Sequence, residues 1–397
     1  MPQPSPVDFK NAPTLRGLLG SDPVKSGTKM TAFVESCVET AAGSAVAIER
    51  VHRHHPRAQR LLRLLADKKN ILITTHQFPD PDALASSMAM ARLLRIKLKD
   101  ANVSLSVKGS IGTGYNAAFA QQNDFRTIPW DDRKLSQYDA ILLLDVQPPF
   151  SFNPLPEGIV PTAVIDHHRA RGRKPACPFC DVRTDVGATS SIVFSYYMEL
   201  EVDIPPDLAA ALLFAIETDL AGAAGTPGEL DNMALSSLTL LADPRKLYRM
   251  RYAELPQNVY LAYAEGLDNA VFYDKALISH LDGQVSPEMT AIIADFLLRF
   301  DAVDWVLVTA IRGQNLTMSL RTSSKISAAD VMRRLVRHLG EGGGHKTKAG
   351  GAIPLQSGSE AEVQRLRTTL KNRLLRALKI PATKAQRLVA DPRSVQT

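Results

Sequence analysis

Residues 140–145 read AILLLD, five apolar positions closed by an acid, and TAVID at 162–166 repeats the form. ILITT at 71–75 is similarly apolar and runs into His76; a helical stretch at 81–96 and a second strand signal, VSLSV at 103–107, follow. Strands that stay apolar through consecutive positions are buried on both faces. Separated by helices, they predict a Rossmann-like α/β layer, a parallel sheet with helices on both sides. In open sheets of this kind, the groups that follow the strands meet outside the carboxyl ends.

DLAAALLFAIETD at 207–219 reads as a helix that also ends on an acid. Residues 245–275 read as a helical connector. Strand signals then resume in KALISHL (275–281), WVLVTAI (305–311) and LTMSLRT (316–322), with helices expected at 328–339 and 360–379. A chain of 397 residues is too long for one ordinary core. The expected organisation is an N-terminal extension at 1–54, partly flexible and helical, a catalytic domain at 55–244, the helical linker at 245–275, a smaller α/β domain with a mixed sheet at 276–380, and a tail at 381–397.

Composition removes several classes. A hydrophobic fraction of 45% with 22% charged residues is globular. Three cysteines in this length argue against a disulfide scaffold. CPFC at 177–180 could be half a zinc site or a redox pair, but three cysteines cannot build a four-thiolate site, and the expectation is an incidental pair. His52, His54 and His55 precede a proline and have no carboxylate nearby, so they read as a solvated basic surface. No apolar run reaches the roughly 18 residues of a membrane span, and the start lacks a signal-peptide profile, so the expectation is a cytoplasmic protein with no membrane partner. Charge is uneven: residues 321–397 hold 16 Lys/Arg and 5 Asp/Glu, whereas the rest holds 31 and 36. An acidic site facing a basic clamp suits an anionic substrate.

The acids carry the chemistry. His76, Asp80 and Asp82 follow the first strand, Asp145 closes another, and Asp166, His167 and His168 close a third. Asp219 ends a helix that could return to the same edge. Asp80 can cap the helix that Pro81 opens, with Asp82 at its positive end. Capping alone accounts for neither His76 nor the acids on the other strands. Five or six carboxylates crowded together would repel or protonate unless divalent cations joined them. Oxygen-rich donors with a few imidazoles and no thiolate suit Mn²⁺ or Mg²⁺. Ser86, Ser87, Ser190 and Ser191 have no evident base partner and read as packing or helix-start residues.

In order along the chain, HQFPDPDALASS, LLLDVQ, VIDHH, ETDL, SLRTSS and GGGHKTKAGG resemble the motif series of the DHH phosphoesterases with their associated C-terminal domain, over about residues 55–355. The resemblance is to the type that degrades very short RNA and dephosphorylates 3′-phosphoadenosine 5′-phosphate. It implies two divalent cations, Mn²⁺ first and Mg²⁺ second, and hydrolysis by water activated between them. His76, Asp80 and Asp145 would hold one cation, and Asp82, Asp145, His167 and Asp219 the other. Asp166 and His168 would be the catalytic pair, Asp166 orienting a histidine and His168 facing the phosphate. Arg321 and His345 would bind the nucleotide beside the Gly342, Gly343 and Gly344 backbone. The partner implied is a short RNA or nucleotide substrate, with a homodimer as the candidate assembly. Alternatives are a cyclic-dinucleotide phosphodiesterase, a RecJ-like exonuclease and a non-catalytic nucleotide-binding protein. Ala85 replaces a usual glycine, Lys348 a usual alanine, and an aromatic residue some relatives carry after Asp219 is missing.

Overall fold

A computed structural model describes residues 56–112, 114–148, 150, 152–169, 177–220, 227–283, 287–344, 346–382 and 385–389. The expected extension at 1–54 and its histidines lie outside these residues. The first sheet has five strands: β1 (Asn70–Thr74), β2 (Asn102–Leu105), β3 (Ala140–Leu144), β4 (Ala163–Asp166) and β5 (Phe179–Val182). Their order is β2-β1-β3-β4-β5, and every pairing is parallel. Both faces are buried, as the unbroken apolar runs require. Ile71, Ile73, Leu142, Leu144 and Ile165 enter the larger core, while Leu72, Ile141, Leu143 and Val164 pack on the other side.

The helices of this layer are α1 (Arg57–Leu65), α2 (Pro81–Lys97), α3 (Tyr115–Gln122), α4 (Thr189–Glu199), α5 (Pro206–Leu220) and α6 (Glu229–Leu241). Asp80 is the N-cap of α2, accepting from the Ala83 amide at 3.0 Å, with Pro81 in the first helical position. Small residues (Ala83, Ala85, Ser86, Ala89, Ala91) let α2 bury nearly its whole circumference. The chain leaves β1 toward β2 and returns to β3 on the opposite side. That reversal opens a crevice at the carboxyl ends of β1 and β3.

Helices α7 (Pro244–Arg251) and α8 (Gln257–Asp268) lead to a seven-stranded mixed sheet. It contains β6 (Val271–Tyr273), β7 (Ala276–Leu281), β8 (Trp305–Arg312), β9 (Asn315–Thr322), β10 (Glu341–Gly344), β11 (Lys348–Pro354) and β12 (Ala385–Arg387), in the order β10-β11-β9-β8-β7-β6-β12. Only β7 and β8 pair in parallel. Helices α9 (Pro287–Leu297), α10 (Ala328–Val336) and α11 (Glu360–Leu378) complete this unit. Val331, Leu335, Leu370 and Leu374 cover one face with Leu307 and Leu320; Val259, Ile293 and Leu297 cover the other with Leu277, Val306 and Val308.

Three boundaries differ from the sequence reading. The end of the expected connector is β6, which pairs with β7. Residues 385–387 of the expected tail form β12, which pairs with β6. The helix expected to reach 339 stops at Val336, because Arg337 leaves helical geometry with ψ 125°.

Candidate metal centre

The loop after β1 brings His76 to the crevice, where Nε2 lies 3.6 Å from Asp145 Oδ2. Asp145 follows β3 directly and is 1% exposed. Its φ is +60°, a left-handed conformation that costs a non-glycine residue energy and is kept here by its surroundings. Its amide donates to the Ile165 carbonyl at 2.9 Å, and Thr189 Oγ1 donates to its carboxylate at 2.8 Å. His167, just past β4, places Nε2 3.4 Å from Asp145 and 3.2 Å from Asp219, which comes from the last turn of α5. Three sets have donor atoms within 4.8 Å of one another: His76, Asp80 and Asp145; Asp82, His167 and Asp219; and Asp145, His167 and His168.

Several supports carry no signature in the side-chain sequence. The amides of Thr189 and Ser190, at the start of α4, donate to the two oxygens of Asp82 at 2.7 and 2.8 Å. This explains Ser190 as a helix-start residue that holds a carboxylate through its backbone. Ser86 and Ser87 donate to the Ala83 carbonyl within α2. Buried Asp231 accepts from the amides of Gly187 and Gly228 at 2.7 and 2.8 Å, pinning the turn that leads into α4. A Cβ at Gly187 would meet the end of the Leu220 side chain at 2.3 Å, so that side chain would have to shift. Gln147 donates to Asp166; its place two residues beyond Asp145 was the one available signal.

Asp166 accepts from the ring and the amide of His168 at 2.8 and 3.1 Å. Burial works against the Asp166 carboxylate, but the facing imidazole outweighs it and holds the acid below its usual range. Burial opposes the charged form of His168 too, yet Asp166 lifts it to about 9. The other acids behave oppositely. Burial, with Asp219 and Asp80 beside it, pushes Asp82 up to about 8. Burial and the facing acids drive Asp145 well above the carboxylate range. Burial raises Asp219 to about 6 although Lys348 draws it down. Carboxylates held this close and this dry need positive charge between them to ionise together. The donor set, all oxygen and imidazole, fits a hard divalent cation such as Mn²⁺ or Mg²⁺.

The second domain reaches this edge. Lys348 Nζ, on β11, donates to the Asp219 carbonyl at 2.8 Å and lies 3.9 Å from its carboxylate. Arg321 is the register partner of Lys348 on β9, and its guanidinium is held by Asp295 at 2.6 Å. Gly342, Gly343 and Gly344 form the edge strand β10. Gly344 has φ +143°, and a Cβ there would meet the Lys348 carbonyl at 2.4 Å. His345 lies outside the described residues, as does most of the basic stretch at 169–174. Glu288 of α9 accepts from the Gly114 amide at 2.7 Å, a further link between the domains. Cys177 and Cys180 are paired with each other at the start of β5. No described helix is long and apolar enough to cross a membrane.

Residues 70–216 match the DHH family, N-terminal domain, and residues 273–375 match the DHHA1 domain, together more than half of the chain. The chain belongs to the DHH phosphoesterase family. An uncharacterized protein of Methanocaldococcus jannaschii is 28% identical to this DHH chain over 291 residues, covering 72% of it and 59% of that protein. A probable manganese-dependent inorganic pyrophosphatase of Lactobacillus johnsonii is 29% identical over 175 residues, 43% of this chain and 54% of that protein. The matches thus span less than two thirds of either relative's length. Among solved structures, an exopolyphosphatase-related protein from Bacteroides fragilis shares the DHH fold with a TM-score of 0.63 at 18% identity, covering 81% of this chain and 97% of that one.

Proposed function

We propose that this protein is a divalent-metal-dependent phosphoesterase that hydrolyses short 5′-phosphorylated oligoribonucleotides or the 3′-phosphate of 3′-phosphoadenosine 5′-phosphate. The observation that carries the reading is the meeting of Lys348 with Asp219: a lysine of the second domain reaches the acidic edge of the first. A small phosphate ester is the chemistry that needs both, metal-binding acids on one side and fixed positive charge on the other. Closure by a whole domain favours short substrates over long duplexes.

His76, Asp80 and Asp145 would hold one cation; Asp82, Asp145, His167 and Asp219 would hold the second. When bound, such cations lower the pKa of water and offset charge on phosphoryl oxygens. The chain's own residues do the rest. Asp166 bonds the His168 ring and favours its charged form, so that His168 would donate to a phosphoryl oxygen. Thr189 and Ser190 fix the Asp82 carboxylate before substrate arrives. Arg321, Lys348 and His345, with the backbone of Gly342–Gly344, would bind the nucleotide from the second domain.

A second reading is hydrolysis of inorganic pyrophosphate, which the name of the Lactobacillus johnsonii relative favours. One assay separates the two. With Mn²⁺, the protein is given a 5′-phosphorylated RNA dimer, a long oligoribonucleotide, 3′-phosphoadenosine 5′-phosphate, cyclic di-AMP and inorganic pyrophosphate, and products are resolved. Preference for the dimer or the adenosine bisphosphate supports the proposal. Preference for pyrophosphate or cyclic di-AMP replaces it.

A further inference from the structure

The rim of the metal centre is aromatic. Phe150 and Phe152 stack at 5.1 Å between ring centroids with planes 18° apart. Each also meets a histidine of the site edge-on: Phe152 stands 6.0 Å from His76, and Phe150 6.0 Å from His168. The Phe152 carbonyl accepts from the Gln77 amide at 3.2 Å, which ties this loop to the His76 loop. Phe150 is half-buried and rests on the core around Leu135, Ile141 and Leu155, so the pair has a fixed base. Phe152 is 38% exposed. A third ring at the same loop, Phe78, is differently occupied: Arg312 of the second domain lies 4.2 Å over its face.

We infer that Phe152, backed by Phe150, is a stacking platform for a nucleobase of the substrate whose phosphate lies among the clustered acids and histidines. This rests on the phosphoesterase reading and narrows it to substrates that carry a base. Phosphate recognition does not explain an exposed phenyl ring here, because a phenyl ring offers an anion neither charge nor a strong donor. A purine or pyrimidine offers a flat π-face, and aromatic side chains bind such faces with little regard to sequence. Because Phe152 is already ordered by Phe150, little freedom is lost when a base docks. The contact of each ring with a site histidine puts the platform immediately beside the phosphate position. A base there and its own phosphate can be held together. Inorganic pyrophosphate or polyphosphate would leave the platform in water.

The test compares a 5′-phosphorylated diadenylate with the same dimer lacking both bases, in Mn²⁺, for wild type, Phe152→Ala, Phe152→Leu and Phe152→Trp. The quantity read is the ratio of kcat/KM for the two dimers. The expected wild-type ratio is about tenfold or more, since stacking is worth roughly that per base. It should collapse toward unity in Phe152→Ala and Phe152→Leu and persist in Phe152→Trp. A dimer carrying 2-aminopurine, bound without turnover, should lose fluorescence on wild type and on the Trp variant, but not on the Ala variant. Equal wild-type turnover of both dimers, or a ratio untouched in Phe152→Ala, overturns the platform and leaves the phosphoesterase reading standing. Turnover of pyrophosphate with neither dimer cleaved overturns that reading itself.

Discussion

Gln147 donates its side-chain amide to the Asp166 carboxylate at 2.6 Å, and to the His168 carbonyl at 2.9 Å. It thereby ties the segment after β3 to the segment after β4. Replacing it with alanine leaves one oxygen of a fully buried carboxylate without its donor, a loss of about 1–3 kcal/mol. Gln147→Ala is expected to lower thermal stability and to reduce kcat more than it raises KM. A variant with wild-type melting and wild-type kcat would show that this hydrogen bond does nothing for the site.

Asp145→Asn keeps an acceptor for Thr189 while removing a charge that burial and neighbouring acids disfavour. The metal-free variant should therefore melt no lower than metal-free wild type. Wild type should gain stability as Mn²⁺ is added, by mass action; the variant should lose most of that gain and all measurable hydrolysis. Calorimetry across a Mn²⁺ titration checks both halves, and near-normal turnover would remove Asp145 from the metal-binding set.

Lys348→Ala deletes the cation that reaches Asp219 from the second domain. The expected effect is a rise in KM of about tenfold, the size of one lost charge-assisted hydrogen bond, with a smaller change in kcat. Lys348→Arg should recover part of it. Unchanged KM for a phosphate-bearing substrate would leave Lys348 as a strut between domains.

His280 supplies a pH test away from the site. It bonds Thr309 at 2.8 Å, and burial, with Arg367 adding to it, pushes its pKa down to about 4. An unfolded histidine titrates near about 6.5. Between those values the unfolded chain binds a proton that the folded chain refuses, so stability falls as pH drops from about 6.5 toward 4. In His280→Gln the part of that fall due to this residue should vanish. Urea midpoints for both proteins at pH 7 and pH 4.5 measure the difference, and parallel losses would contradict the assignment.

Asp181 is buried and accepts from Arg183 and from the Tyr196 hydroxyl at 2.7 Å each, with Arg57 also paired to it. Asp181→Ala strands a mostly buried guanidinium and a buried phenol. A cost of about 3–5 kcal/mol is expected. Chemical denaturation reads it directly, and a loss below about 1 kcal/mol would mean that water replaces the missing carboxylate.

The parallel layer was legible because β1, β3 and β4 carry unbroken runs of three to five buried apolar residues, and only a sheet covered on both faces asks for that. The meeting of Asp145, His167 and the His76 loop followed from the same pattern, since parallel strands deliver their carboxyl ends to one edge. Strands β5, β6, β10 and β12 were not legible. They have three or four residues each, and β10 is mostly glycine, so neither apolar runs nor alternation can mark them. The clamp on Asp82 was hidden for another reason: its donors are backbone amides, which every residue but proline possesses. Asp231 carries no mark in the sequence for the same reason, since its donors are the amides of Gly187 and Gly228.

The clamp on Asp82 also fixes when the site can exist. Its donors lie 107 and 108 residues later in the chain. A nascent chain emerging from the ribosome presents His76, Asp80, Asp82 and Asp145 long before α4 arrives to orient Asp82, and before Asp219 has been made. Parallel pairing across such separations is slow, because ends far apart in sequence must be brought together first. The acids of the first half of the catalytic layer therefore wait for the chain to pass α4 and Asp219 before the whole ligand set exists in one molecule.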